Sequence, residues 1–173
     1  MSLNKITKSI TDSSLSRLHG YINHKSCKSW AIITSYRDEL GEANIKVFRE
    51  QFVKDLRAEN LGFVLLSGHG QEKSKDGRIE SKNELALFIP NISLKQSEEL
   101  VDRYKQDGFI YSGSEVDNKI VLFFDGKRVK DFIGWHPNKI GEFYSTLRGR
   151  PFVFERVGLQ NWLAGLSVFG NSK

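Results

Sequence analysis

Apolar positions along the chain change period several times, and each change marks an element. Leu15, Leu18 and Ile22 recur at helical spacing behind the candidate caps Asp12, Ser13 and Ser14, which predicts a short helix. Trp30-Ala31-Ile32-Ile33-Thr34-Ser35-Tyr36 is a continuous apolar and β-branched run suited to a buried strand. Ile45, Phe48, Phe52 and Leu56 then lie on one face of a predicted helix, with Gly62 just past Asn60 as its stop. Gly62 to Ser67 reads as a second strand and Glu84 to Ile89, ended by Pro90, as a third. Between them Gly68 to Lys82 reads as a polar connection, partly a hairpin turning at Asp76-Gly77. Ser93 and Gln96 have capping-box spacing before a helix whose inner face is Leu94, Ser97, Leu100, Val101 and Tyr104, closed by Gly108. Phe109 to Ser112 and Lys119 to Phe124 complete an antiparallel pair joined through Gly113 to Asn118.

The order strand, helix, strand, strand, helix, strand predicts an α+β fold, a ferredoxin-like βαββαβ mixed sheet with both helices on one face, over residues 28–125. Residues 126–173 read as a helix-strand-helix addition. Asn138 would cap a helix with Ile140, Phe143, Tyr144 and Leu147 as its stripe and Gly149 as its end, Pro151 to Phe154 a strand, and Leu159, Trp162, Leu163 and Leu166 a last amphipathic helix. Met1 to Ser14 is polar and aperiodic, and is expected to be a flexible arm on a single domain spanning 15–173. That length buries a sizeable core without metal or disulfide staples.

Composition narrows the setting. Cys27 is the only cysteine, which excludes an intramolecular disulfide and a four-cysteine zinc site and fits a reducing compartment. The longest apolar runs are too short to span a bilayer, and the opening residues lack the apolar stretch of a secretory signal, so no membrane association is expected and the location is expected to be cytoplasmic. The formal charge of +5 is unevenly spread. Residues 1–37 carry six Lys or Arg against one acid, residues 38–125 carry twelve against seventeen, and residues 126–173 carry eight against three. If the basic ends meet, they form a positive face able to attract phosphate; if not, they are solvated charges that complement the acidic middle.

Several residue sets could carry chemistry. Ser35, Tyr36 and Arg37 fall at the carboxyl end of the first strand, where Arg37 could hold a phosphate or carboxylate, or pair with Asp38, Glu39 or Glu42. Asn44 and Arg49 follow early on the next helix, as further ligand contacts or as a cap and a solvated charge. Gly68-His69-Gly70 reads as a loop whose glycines would let a ligand approach His69, a proton-transfer group. Glu72, Glu80, Ser81 and Glu84 could come near it, with His69 and Glu80 as the catalytic candidates and Ser81 as a ligand contact. His19 and His24, five apart and without an acidic third ligand, make no metal site, and His136 before Pro137 adds none; no metal or cofactor is expected. The nucleic-acid candidate is Lys127, Arg128 and Lys130 with Lys139, Arg148, Arg150 and Arg156, set among aromatic residues that could stack on bases or fill the core.

Trp30 to Ser35, Arg49, Glu80-Ser81 and the segment Trp135 to Tyr144 resemble a family of small uncharacterised phage and bacterial proteins. Residues 28–125 resemble a bacterial domain of unknown function with an Ile-Thr-Ala strand end and a later Glu-Ser pair, matched by Ile33-Thr34-Ser35 and Glu80-Ser81. The Asn-Pro that often follows that strand is replaced here by Tyr36-Arg37. The resemblance implies a viral origin more than an activity. The leading expectation is a non-enzymatic phage-type accessory protein that binds nucleic acid or an acidic, host or virion protein surface. The alternatives are a hydrolase or phosphodiesterase using His69 and Glu80, with or without a metal, and a structural virion component. The sequence sets no oligomeric state.

Overall fold

A computed structural model describes residues 15–34, 41–73, 76–137, 144–147 and 150–156. Its helices are α1 (Leu15–Ile22), α2 (Gly41–Ala58) and α3 (Leu94–Arg103). Its strands are β1 (Trp30–Thr34), β2 (Val64–Lys73), β3 (Ile79–Pro90), β4 (Gly108–Ser112), β5 (Ile120–Phe124), β6 (Lys127–Pro137), β7 (Tyr144–Leu147) and β8 (Arg150–Arg156). The fold is α+β. The strands close into a barrel in the order β1-β3-β2-β7-β8-β6-β5-β4, with β4 returning to β1.

Four expectations change. The sheet is antiparallel at every pairing rather than mixed. Gly68 to Lys82 is the expected hairpin with Asp76-Gly77 in its turn, but it is strand rather than polar connection over most of its length: β2 runs through His69 to Lys73 and β3 starts at Ile79, because each polar residue finds a backbone partner across a ten-pair ladder. The described part of residues 126–173 does not stand apart as an addition, since β6, β7 and β8 complete the barrel, with the strand expected at Pro151 to Phe154 lying in β8. Tyr144 and Leu147 lie on β7 and not on a helix, their spacing of three overridden by pairing to β2 and β8. The expected arm, Arg37, residues 138–143 and the last predicted helix lie outside the described residues.

Strand alternation sorts the core into two layers. On one face of the sheet, Ala31, Ile33, Leu87, Ile89, Tyr111 and Phe123 pack against Phe52 and Leu56 of α2, Leu100 of α3 and Tyr104 just past its end. On the other, Trp30, Ile32, Phe88, Leu122, Phe132, Trp135 and Phe154 surround Leu15, Leu18 and Ile22 of α1. The amphipathic stripe of α1 therefore fills the concave side of the barrel. Each large side chain buried there contributes about 1.5–3 kcal/mol.

Phe132 and Trp135 are three residues apart, a spacing that puts strand residues on opposite faces, yet both belong to the inner cluster. A register shift between Phe132 and Gly134 against β8 supplies the missing residue. A second shift, opposite Leu122 and Phe123, leaves Val129 extra. Two bulges in one strand bend it, which helps an open sheet to close.

The three described helices end alike. Lys25, Leu61 and Gln106 donate backbone N–H to Gly20, Leu56 and Val101, closing the final turn around His24, Asn60 and Lys105 in left-handed backbone (φ 57°, 57° and 54°). The stops are thus Asn60 and Lys105 rather than Gly62 and Gly108. The predicted capping box does form, with Ser93 Oγ accepting from the Gln96 N–H at 3.1 Å and Gln96 Oε1 from the Ser93 N–H at 2.9 Å.

Candidate functional site

The ending of α1 sets up the polar junction from which the candidate site is built. Left-handed backbone at His24 places its ring between two segments distant in sequence. His24 Nδ1 lies 3.1 Å from the Lys28 carbonyl oxygen, and Nε2 lies 2.7 Å from Ser112 Oγ at the end of β4, 88 residues away. Ser112 is fully buried, and its hydroxyl also lies 3.2 Å from the Asn118 carbonyl oxygen. These contacts tie the α1–β1 turn, with exposed Lys25 and Lys28, to the β4–β5 loop, which ends at exposed Lys119.

From that loop the charge continues onto β6. Lys119 and Arg128 both help hold the Asp131 carboxyl below its usual range, with the Arg128 hydrogen bonds as the largest cause. Arg128 binds Asp131 in bidentate fashion, Nε to Oδ1 at 3.0 Å and Nη2 to Oδ2 at 2.9 Å. The extra residue Val129 makes this pairing possible, because without it positions 128 and 131 would fall on opposite faces. Arg128 is therefore largely neutralised, while Lys127 and Lys130 are exposed and Val129 is half-exposed. Lys25 and Lys28 thus sit on the α1–β1 turn, Lys119 near Asp131 of β6, and Lys127 and Lys130 on β6 opposite Phe124 and Leu122. Residues 127–131 pair with β5 alone among the described strands, so their charges also suit a strand edge.

The other sequence candidates are placed as follows. Asn44 is exposed near the start of α2. Arg49 is half-buried further along that helix, and its Nε is buried without a hydrogen-bond partner. In the β2–β3 ladder His69 pairs with Asn83, Ser81 with Gln71 and Glu80 with Glu72. His69 and Glu80 are thus three register steps apart, an odd offset that assigns their positions to opposite faces of the sheet. Arg150 opens β8 opposite Leu147, and Arg156 ends it opposite Phe132. Arg37, Lys139 and Arg148 lie outside the described residues. Among the described residues no group of three or more His, Cys, Asp or Glu could hold a metal, and no helix is long and apolar enough to cross a membrane.

The aromatic residues near these cations lie in one or other of the two core layers. Phe123, Phe132, Trp135 and Phe154 are buried, so the core reading of these rings prevails over base stacking. His24 and Ser112 were invisible as a pair in the sequence, since neither has a motif and β4 alone brings them together.

A second polar cluster joins α2 to α3. The Tyr104 hydroxyl and Arg103 Nη1 both donate to Asp55 Oδ2, the latter at 3.2 Å, and Gln51 donates to Oδ1 at 3.1 Å. The Tyr104 hydroxyl, with Arg103 and Gln51, holds the Asp55 carboxyl below its usual range, while burial and that carboxylate push the Tyr104 phenol up. Every member is satisfied, which marks a helix-to-helix tie rather than an open site.

No protein-family model matches the chain, and no curated protein or solved structure is significantly similar to it.

Proposed function

We propose that this protein is a non-enzymatic accessory protein that binds the phosphate backbone of nucleic acid through the face formed by the α1–β1 turn, the β4–β5 loop and the start of β6. The observation that carries this reading is the His24–Ser112 junction, which joins the turn bearing Lys25 and Lys28 to the loop bearing Lys119, itself near Asp131 of β6. Lys25, Lys28, Lys119, Lys127 and Lys130 offer separate, exposed ammonium groups, the chemistry suited to a row of phosphates. Contacts of this kind set register on a backbone and carry no base information. The resemblance to tailed-phage proteins suggests an infected cell or a virus particle as the setting. We further propose that β1 to β4 with α2 and α3 form a ferredoxin-like unit, supported by the sheet order β2-β3-β1-β4 and by helices in both crossovers.

The test is fluorescence anisotropy with a labelled 20-base-pair duplex across a salt series. Affinity is expected to fall steeply with salt, and Lys127→Glu with Lys130→Glu to weaken binding at least about tenfold and lower the salt slope by about two. No binding at low ionic strength would overturn the reading. Binding to an acidic polypeptide but not to the duplex would replace it with a protein partner.

A further inference from the structure

The junction that assembles the basic face contains a chain of three hydrogen-bond links whose protons can be counted. Its two ends are carbonyl oxygens, of Lys28 and Asn118, which can only accept. Between them stand the His24 ring, 3.1 Å from the first, and the Ser112 hydroxyl, 3.2 Å from the second and 2.7 Å from the ring. Three links need three protons. A neutral imidazole and a hydroxyl supply two, so one link is left as two lone pairs facing each other. An imidazolium and a hydroxyl supply three: Nδ1 donates to Lys28, Nε2 to Ser112 Oγ, and Ser112 to Asn118.

We propose that His24 is a proton-operated clasp on the basic face: the protonated ring completes the chain, clips the α1–β1 turn to the β4–β5 loop, and strengthens binding of a phosphate polymer. The inference rests on the proposed nucleic-acid reading for its partner, but the clasp itself does not depend on it. Two features support it beyond the distances. Ser112 is fully buried, which denies its hydroxyl an easy replacement by water. His24 holds a left-handed backbone conformation that Gly or Asn more commonly occupies at a helix end, a cost that its ring bonds offset. The charged groups on the segments that meet at the ring are Lys25 and Lys28 on its own turn and Glu115, Asp117 and Lys119 on the loop. Glu115 is engaged by the Tyr111 hydroxyl at 2.8 Å. The lysines oppose the added charge in the free protein, and bound phosphates relieve that opposition, so polymer binding and proton uptake reinforce one another.

The sign follows from linkage. If binding takes up one proton, affinity rises as pH falls through the histidine range, by at most about tenfold per pH unit. Duplex binding is measured between pH 5.5 and 8 for the full chain, Ser112→Ala and His24→Gly. Ser112→Ala keeps the imidazole but removes two links and the need for a third proton. His24→Gly keeps the left-handed helix end and removes the ring. The wild type is expected to lose affinity with rising pH, whereas both variants share a flatter profile set by the remaining histidines. A Ser112→Ala profile as steep as wild type overturns the proposal.

Urea midpoints of the unliganded proteins over the same pH range give a readout without nucleic acid. The stability advantage of wild type over Ser112→Ala should be largest at low pH and shrink as pH rises, and a constant difference likewise overturns the clasp. If the duplex does not bind at any pH but the stability difference behaves as expected, the binding reading fails and the clasp stands.

Discussion

Gly113 offers the sharpest test of the packing, because the argument there is steric alone. Its backbone is extended (φ 177°), open to any residue, so replacement by Ala carries no conformational penalty. A Cβ at this position would nevertheless lie 2.3 Å from the Tyr111 hydroxyl oxygen, 2.8 Å from its Cζ and 2.9 Å from Glu115 Oε2. Tyr111 is fully buried and cannot swing into solvent. If its ring retreats, the hydroxyl loses the 2.8 Å bond to Glu115, a charge-assisted bond of about 1.5–3 kcal/mol. If the loop retreats instead, it strains the Gly113 carbonyl, which accepts from Asn118 at 2.8 Å and Val116 at 3.1 Å. Overpacking adds about 1–3 kcal/mol. Gly113→Ala is therefore expected to cost about 3 kcal/mol in urea unfolding, with an unchanged denaturant slope, and to lower Tm by about 6–12 °C. Tyr111→Phe removes the nearest clashing atom, so it should cost less in the Gly113→Ala background than in wild type, a coupling of about 1 kcal/mol. A Gly113→Ala protein within about 0.5 kcal/mol of wild type would refute the steric reasoning.

Acid should loosen the tie between α2 and α3. The Asp55 carboxyl is held below its ordinary range chiefly by the Tyr104 hydroxyl, so its contribution is present above that range and fades as pH falls through the folded-state value. Asp55→Asn should accordingly narrow its stability deficit, about 1 kcal/mol near neutrality, as urea midpoints are followed from pH 6 towards about pH 3; parallel curves would contradict this. Burial pushes the Cys27 thiol up to about 11, so at pH 8 an aromatic disulfide reagent should react about a hundredfold more slowly with the native chain than with the urea-unfolded one. Equal rates would show that the thiol is open to solvent.

What the sequence made legible was local. The apolar run at Trp30 to Thr34, the helical stripe from Ile45 to Leu56 and the Ser93–Gln96 box each carry their signal within a dozen residues, and each forms where expected. β6 escaped because its two bulges break the period of two that would have announced it. The distal β2–β3 ladder escaped because its residues are polar and its support is the partner strand, a long-range interaction that leaves no local pattern. Helix ends misled for a related reason: glycine is the usual left-handed residue, yet here Asn60 and Lys105 fill that role a few positions earlier. The candidate site was half legible. The lysines of β6 stand out as a cluster, but the His24–Ser112 contact that extends them spans 88 residues and depends on the pairing of β1 with β4.

The cations of β6 answer two physical needs, and the surrounding residues help to weigh them. A strand edge gains from lysines and a bulge, which discourage pairing with a second chain, and residues 127–131, paired with β5 alone among the described strands, have both. Edge protection alone, however, asks nothing of Lys25 and Lys28 on a helix-ending turn, or of Lys119 in a loop. It also does not account for a histidine held in a left-handed conformation to join those two segments through a buried serine. Such an arrangement tolerates the mutual repulsion of the gathered cations, a cost that an opposing anion would relieve. The edge explains why β6 is charged. The proposed anionic partner is the reading that gives the cations of the α1–β1 turn and the β4–β5 loop a role as well.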